Sequence, residues 1–293
     1  MGNLKGLFEQ SGVFTKIFIL LAITLFFTLI ISPIIALISF SNPLDVGLLK
    51  LSQLILSISV IVLPPIVLAY LISSTPFNFL YLYKRTANWG DIIFVILFMI
   101  IIIPFINLLG DINHRLVLPK VFSGLEMWMK TSEDQATIIT QKFLNVRNIP
   151  GLFFNIILIA IIPAIGEELY FRGAIQRVIQ QWKGIKVSIW ITAIIFSTIH
   201  FQFYGFLPRM LMGAFFGYLL FWSKNLWLPI IAHFTNNVIA VIFYYFKFNG
   251  VKLPDIDSIG TGNTIWIGLV SGAIGVFGFF WLRRKFQFKK GEL

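Results

Sequence analysis

The sequence predicts an all-α bundle that crosses a membrane about eight times. Three observations carry that prediction. Hydrophobic residues make up 58% of the 293 residues and charged ones only 12%, where a soluble domain carries about 25% charged residues. Apolar runs long enough to cross about 30 Å of hydrocarbon recur along the chain. Mean hydropathy is +0.88, and phenylalanine, which suits a lipid-facing surface, occurs 32 times.

Ile17 to Phe40 is the first span. It exceeds the roughly 7–15 apolar residues of a secretory signal. Leu37-Ile38-Ser39-Phe40-Ser41 offers no good cleavage site, so the run reads as a retained anchor. Leu51 to Ser73 is the second, with a kink expected at Pro64-Pro65, because proline lacks a donor and crowds the preceding turn. Ile92 to Leu109 is the third. Asp111 to Pro150 is the one long polar segment. Within it, Ser132-Glu133-Asp134-Gln135 has the form of a capping box. Ala136, Ile139, Phe143 and Val146 then share one face. An amphipathic helix is expected from there, lying on the membrane or covering the bundle, without chemistry of its own. His114 is assigned no role.

Gly151 opens the fourth span. Val187 to Leu207 is the fifth, with His200 inside it, and Met210 to Trp222 is a short sixth. Its Gly213-x-x-x-Gly217 spacing is read as close helix packing. Leu226 to Phe246 is the seventh and carries His233, Asn236 and Asn237; Thr264 to Leu282 is the eighth. The chain divides into 1–110, three N-terminal spans; 111–150, a non-spanning amphipathic segment; 151–246, a core with the chemistry; and 247–293, the last span and a basic tail.

Eight spans put both termini on one side. That side holds Lys5, Lys16, Lys84, Arg85, Arg177, Lys183, Lys186, Lys224, Arg283, Arg284, Lys285, Lys289 and Lys290. The positive-inside rule then places both termini inside. The net charge of +11 is thus read as topology, with lipid and not nucleic acid as the partner. No cysteine is present, which excludes disulfides, thiolate metal sites and a cysteine nucleophile.

Gly166-Glu167-Glu168-Leu169-Tyr170-Phe171-Arg172 is the stretch around which the rest is organised. Ionisable groups in a membrane-buried run are costly and point to function. Glu168 and Arg172 are four apart and can pair on one helical face. Glu167 points about 100° away and lacks a local counter-charge, as suits a general base. If the helix continues to about Gln180, Glu167 reaches the depth of His200. Two of the three histidines lie in apolar spans, and His233 shares a face with Asn237. A glutamate, two histidines and an asparagine form a set able to activate water and hold an oxyanion. His-Glu-x-x-His is absent, yet Glu167, His200 and His233 would complete a three-ligand zinc site. A metal-free mechanism is equally open.

Glu167-Glu168-Leu169-Tyr170-Phe171-Arg172, Phe196-Ser197-Thr198-Ile199-His200 and His233-Phe234-Thr235-Asn236-Asn237 resemble, in order and spacing, the motifs of the CPBP family. These are the CAAX-protease and bacteriocin-processing membrane proteases, also called the Abi or type II CAAX endopeptidase group. The resemblance covers roughly Gly151 to Phe246. It implies cleavage of a membrane-associated peptide or protein, with Glu167 and His200 activating water. His233 and Asn237 would stabilise the oxyanion, and Glu168 and Arg172 would support the helix. The rival readings are a proton- or ion-coupled transporter and a non-catalytic immunity or scaffold protein of the same fold. The inverted repeats common in transporters are not visible.

Overall fold

The computed structural model describes residues 4–41, 45–83, 87–116 and 118–288. Lys84, Arg85, Lys289 and Lys290, counted above for topology, lie outside them. Every regular element among the described residues is helical. The helices are α1 Val13–Ser41, α2 Val46–Ile72, α3 Trp89–Ile101, α4 Ile103–His114, α5 Ser123–Leu144, α6 over 149–183, α7 over 185–198, α8 Phe206–Ser223, α9 Trp227–Phe248 and α10 Ile265–Phe288.

Six helical runs are long and apolar enough to cross a membrane, and seven if the bent pair α3–α4 is one span. That pair bends by 42° next to Pro104, which stands in the first turn of α4. The expected fourth and fifth spans form one run by length, Ile149–Thr198. The chain nevertheless reverses at Gly184, whose φ of 73° and ψ of 178° are not helical. Phe171 packs on Phe196 with ring centroids 5.2 Å apart, and Glu167 faces His200. These pairs straddle Gly184 almost symmetrically, as in an antiparallel hairpin. A side chain at this φ is strained, so glycine occupies the turn. Counting α6 and α7 separately and α3–α4 as one gives the eight expected segments.

Two expectations are corrected. α5 begins at Ser123, not at the Ser132 capping box. Ser132 Oγ instead bonds back to the Trp128 carbonyl inside the helix, and Val146 lies beyond the helix end. His200 is not inside a span: α7 stops at Thr198, and His200 lies in the turn before α8. At Pro64-Pro65 the α2 backbone passes from a π-helical stretch, Ile58–Val62, into a new α segment.

The exterior is apolar, with Phe18 71% and Phe277 73% exposed, as lipid contact demands. One end of the bundle joins the segments counted as inner. Lys16 donates to Gln181, Arg177 stacks on Tyr81, and Lys285 pairs with Asp91. At the other end Asn113 donates to the Phe203 carbonyl, and the Tyr204 amide donates to Glu133 on α5.

Between lipid-embedded helices, close approach and polar contacts replace the hydrophobic drive. Gly213 and Gly217 provide both. Their carbonyls accept hydrogen bonds from Arg172 (3.1 Å) and Gln176 (3.2 Å) across the α6–α8 interface. A Cβ at Gly217 would stand 2.6 Å from Gln176 Oε1 and 3.0 Å from Ile189. Gly217→Ala should therefore lower stability by about 1–3 kcal/mol through overpacking. Thermal unfolding in detergent reads this, and an unchanged midpoint would show that these helices separate freely.

Candidate active site

The α6 backbone loosens at the two adjacent glutamates. Glu167 closes an α-helical stretch, and Glu168–Ile175 is π-helical. Short π segments recur at functional sites because they re-aim side chains within a continuing helix. Glu168 and Arg172 both point inward from this one and are fully buried, with Nη1 2.7 Å from Oε1. Arg172 also lies over the Phe196 ring at 4.4 Å and the Phe216 ring at 5.3 Å. The guanidinium is thus bounded by a carboxylate, a backbone carbonyl and two aromatic faces, which offset its desolvation.

Glu168 has a second duty. Its Oε1 also lies 3.0 Å from His233 Nδ1, and His233 stacks on Phe216 at 5.4 Å. A carboxylate accepts, so Nδ1 carries the proton and Nε2 turns the other way. His200 is held similarly. Its Nδ1 lies 2.6 Å from the Phe196 carbonyl, which can only accept. In the neutral imidazole, Nε2 is then a bare acceptor. Both Nε2 atoms face the same carboxylate oxygen: Glu167 Oε2 is 3.8 Å from that of His200 and 3.9 Å from that of His233. Glu167 Oε2 is buried and has no protein hydrogen-bond partner. Separations of this size are too long for direct hydrogen bonds and fit one bridging molecule.

A cavity of about 740 Å³ opens at this point, lined by Glu167, His200, His233 and Asn237 together. Asn237 Nδ2 donates to the Ile159 carbonyl at 3.3 Å, and its Oδ1 accepts from Asn236. The amide keeps a second N–H. Ala136, Ile139 and Phe143 of α5 form part of the wall, so the amphipathic helix borders the site. Two further cavity residues, Gln202 and Arg209, were not singled out from the sequence. Arg209 lies at the start of a short span, where a basic residue reads as an interfacial anchor, and only the turn at 199–205 brings it inward. Lys50 was missed as well. It is buried on α2 and donates to Asn155, whose amide reaches the Phe143 carbonyl and ties α5 down. His114 packs against Tyr204, away from these residues.

Residues 149–239 match the family described as Type II CAAX prenyl endopeptidase Rce1-like. That segment contains Glu167, His200, His233 and Asn237. Through that match, this segment is similar to the CPBP family. The chain is 28% identical over 123 residues to "Uncharacterized protein YpbD" of Bacillus subtilis, covering 41% of this chain and 58% of that protein. It is 31% identical over 103 residues to "Putative membrane peptidase YdiL" of the same organism, covering 35% and 41%. The matches thus span about half the length of these curated relatives. No solved structure matches. The matched segment runs from the start of α6 into α9.

Zinc can be tested against this geometry. Two imidazole nitrogens and a carboxylate oxygen are suitable donors, but tetrahedral ligands at zinc's bond lengths stand about 3.3 Å apart. The observed 3.8 and 3.9 Å are wider, and no group of three His, Cys, Asp or Glu among the described residues is spaced to hold a metal ion. As placed, the three do not fit zinc.

Proposed function

We propose that the protein is a membrane-embedded endopeptidase that hydrolyses a peptide bond of a membrane-associated substrate with water activated by Glu167. The observation that carries this reading is the convergence of Glu167 Oε2 with two histidine Nε2 atoms at 3.8 and 3.9 Å on the wall of one cavity. Three acceptors facing one point call for a molecule with protons to give, and water is that molecule. Glu167 takes one proton while His200 Nε2 accepts the other in a hydrogen bond. The hydroxide adds to the scissile carbonyl carbon, and the proton on Glu167 passes to the leaving amine as the C–N bond breaks. Asn237 Nδ2–H donates to the oxyanion. His233 Nε2 can donate to the oxyanion only once it has taken up a proton, with its Nδ1–H still held by Glu168.

The inner-membrane location and the inside placement of both termini belong to this proposal. They are supported by the cluster of basic residues at one end of the bundle. Purified protein in liposomes should cleave members of a quenched-fluorescent peptide library. Absence of any cleavage, with proton or ion flux instead, would favour the transporter reading. Zinc dependence is the alternative form of the same proposal, and Glu167, His200 and His233 are the residues that would have to hold the ion, at separations other than those seen here. Chelation should leave the rate unchanged if water activation by Glu167 suffices. Loss with a chelator, recovery with zinc and reduced metal content in His200→Ala would establish the metal form.

A further inference from the structure

Arg209 is the one Lys or Arg side chain among the residues lining the catalytic cavity. It makes no ion pair with Glu133 or Glu167 among the described residues. Its fork is held elsewhere. Nη1 donates to the Gln202 carbonyl and Nη2 to Gln202 Oε1, both at 3.0 Å, which leaves further N–H groups on a side chain that lines the cavity. Two local features build this hold. Phe201 has a φ of 52°, an uncommon conformation for a bulky residue, and it turns His200 and Gln202 into the same cavity. Gly205 lies under the guanidinium, where a Cβ would stand 3.0 Å from Nη2. A positioned guanidinium with donors to spare, in a cavity of low dielectric, is suited to bidentate recognition of a carboxylate.

We propose that Arg209, oriented by Gln202, is a carboxylate-binding subsite beside Glu167, through which the protein selects peptides that place a carboxylate near the scissile bond. The carboxylate comes either from the peptide's C-terminus or from an Asp or Glu side chain. The proposal rests on the peptidase reading for its place in a reaction, and its binding component stands apart from it.

The test uses the full-length protein in liposomes and a dansyl-decapeptide library in three forms: C-terminal acid, C-terminal amide, and C-terminal amide with one internal glutamate. Acid should be preferred to amide in kcat/KM by at least about tenfold, the scale of one charged hydrogen bond. The ratio should fall to near one in Arg209→Gln and take an intermediate value in Arg209→Lys, which keeps charge without the fork. Because the readout is a ratio, a general loss of activity cancels. Preference for the internal-glutamate amide over the plain amide, lost in Arg209→Gln, assigns the carboxylate to a side chain. A ratio that is the same in wild type and Arg209→Gln overturns the proposal, as does a wild type indifferent to both carboxylates. If no peptide is cleaved, fluorescence anisotropy of the same peptides decides. Arg209-dependent binding of the carboxylate forms upholds the subsite while the peptidase reading fails, and indifferent binding overturns it.

Discussion

Glu167→Gln should yield a folded protein that binds peptide substrate and scarcely cleaves it. Glutamine keeps the size of glutamate and an acceptor oxygen, so the cavity wall is preserved. It cannot take the proton from water. A positioned general base contributes roughly 10²–10⁴ in rate, and kcat should fall by about that much with KM little changed. The fold should tolerate the change because Glu167 makes no direct ion pair with a Lys or Arg among the described residues. Its nearest ionisable approaches among the described residues are the two histidines at 3.8 and 3.9 Å. The measurement is cleavage in liposomes set against equilibrium binding of the same peptide. Near-wild-type cleavage by the glutamine variant would remove Glu167 from the base role and leave Glu168 as the adjacent carboxylate to examine. Since Glu168 is already engaged by Arg172 and His233, that outcome would require a different mechanism.

Arg172→Ala should act on folding before it acts on rate. Arg172 and Glu168 are both fully buried and bonded at 2.7 Å, and the same guanidinium reaches the Gly213 carbonyl and two aromatic rings. Removing it leaves a carboxylate without its counter-charge in the middle of the bundle, at a penalty of about 3–5 kcal/mol. That is a large share of the roughly 5–15 kcal/mol by which folded proteins are stable, so the yield of monodisperse protein in detergent should fall sharply. Glu168→Gln should be milder in folding, since an amide oxygen still accepts from Arg172. It should nevertheless impair cleavage, because the charge that holds His233 Nδ1–H is gone. A well-folded, inactive Arg172→Ala would show instead that Arg172 acts on the reacting atoms and that the α6–α8 interface holds without it.

Much of the architecture was legible because membrane helices declare themselves by composition: a run such as Ile17 to Phe40 has few stable alternatives in hydrocarbon. The Glu168–Arg172 pair followed from i, i+4 spacing alone. Local signals were misread where two helical cues competed. Ser132-Glu133-Asp134-Gln135 fits a capping box, but the residues before it, from Ser123, are themselves adequate helix formers. The helix therefore starts earlier, and Ser132 turns back onto its own backbone. His200 was placed inside a span because apolar residues continue past it. The break at Thr198 depends on the turn that leads into α8, which hydropathy does not register.

By itself, the sequence determined that this chain is a helical membrane bundle and that Glu167, Glu168, Arg172, His200, His233 and Asn237 are the polar residues worth explaining. It did so because burying such groups in lipid is costly enough to make each one conspicuous. Only the tertiary structure decided what each faces. The reversal at Gly184 brings His200 to Glu167, and the Gly213 and Gly217 surface lets α6 approach closely enough for Arg172 to reach a carbonyl of α8. Hydrogen bonds at Nδ1 of both histidines turn Nε2 toward one oxygen, and the turn at Phe201 brings Arg209 into the cavity. These are relations between residues far apart in the chain. They depend on the directions of side chains across packed helices, and no periodicity within a single helix encodes that.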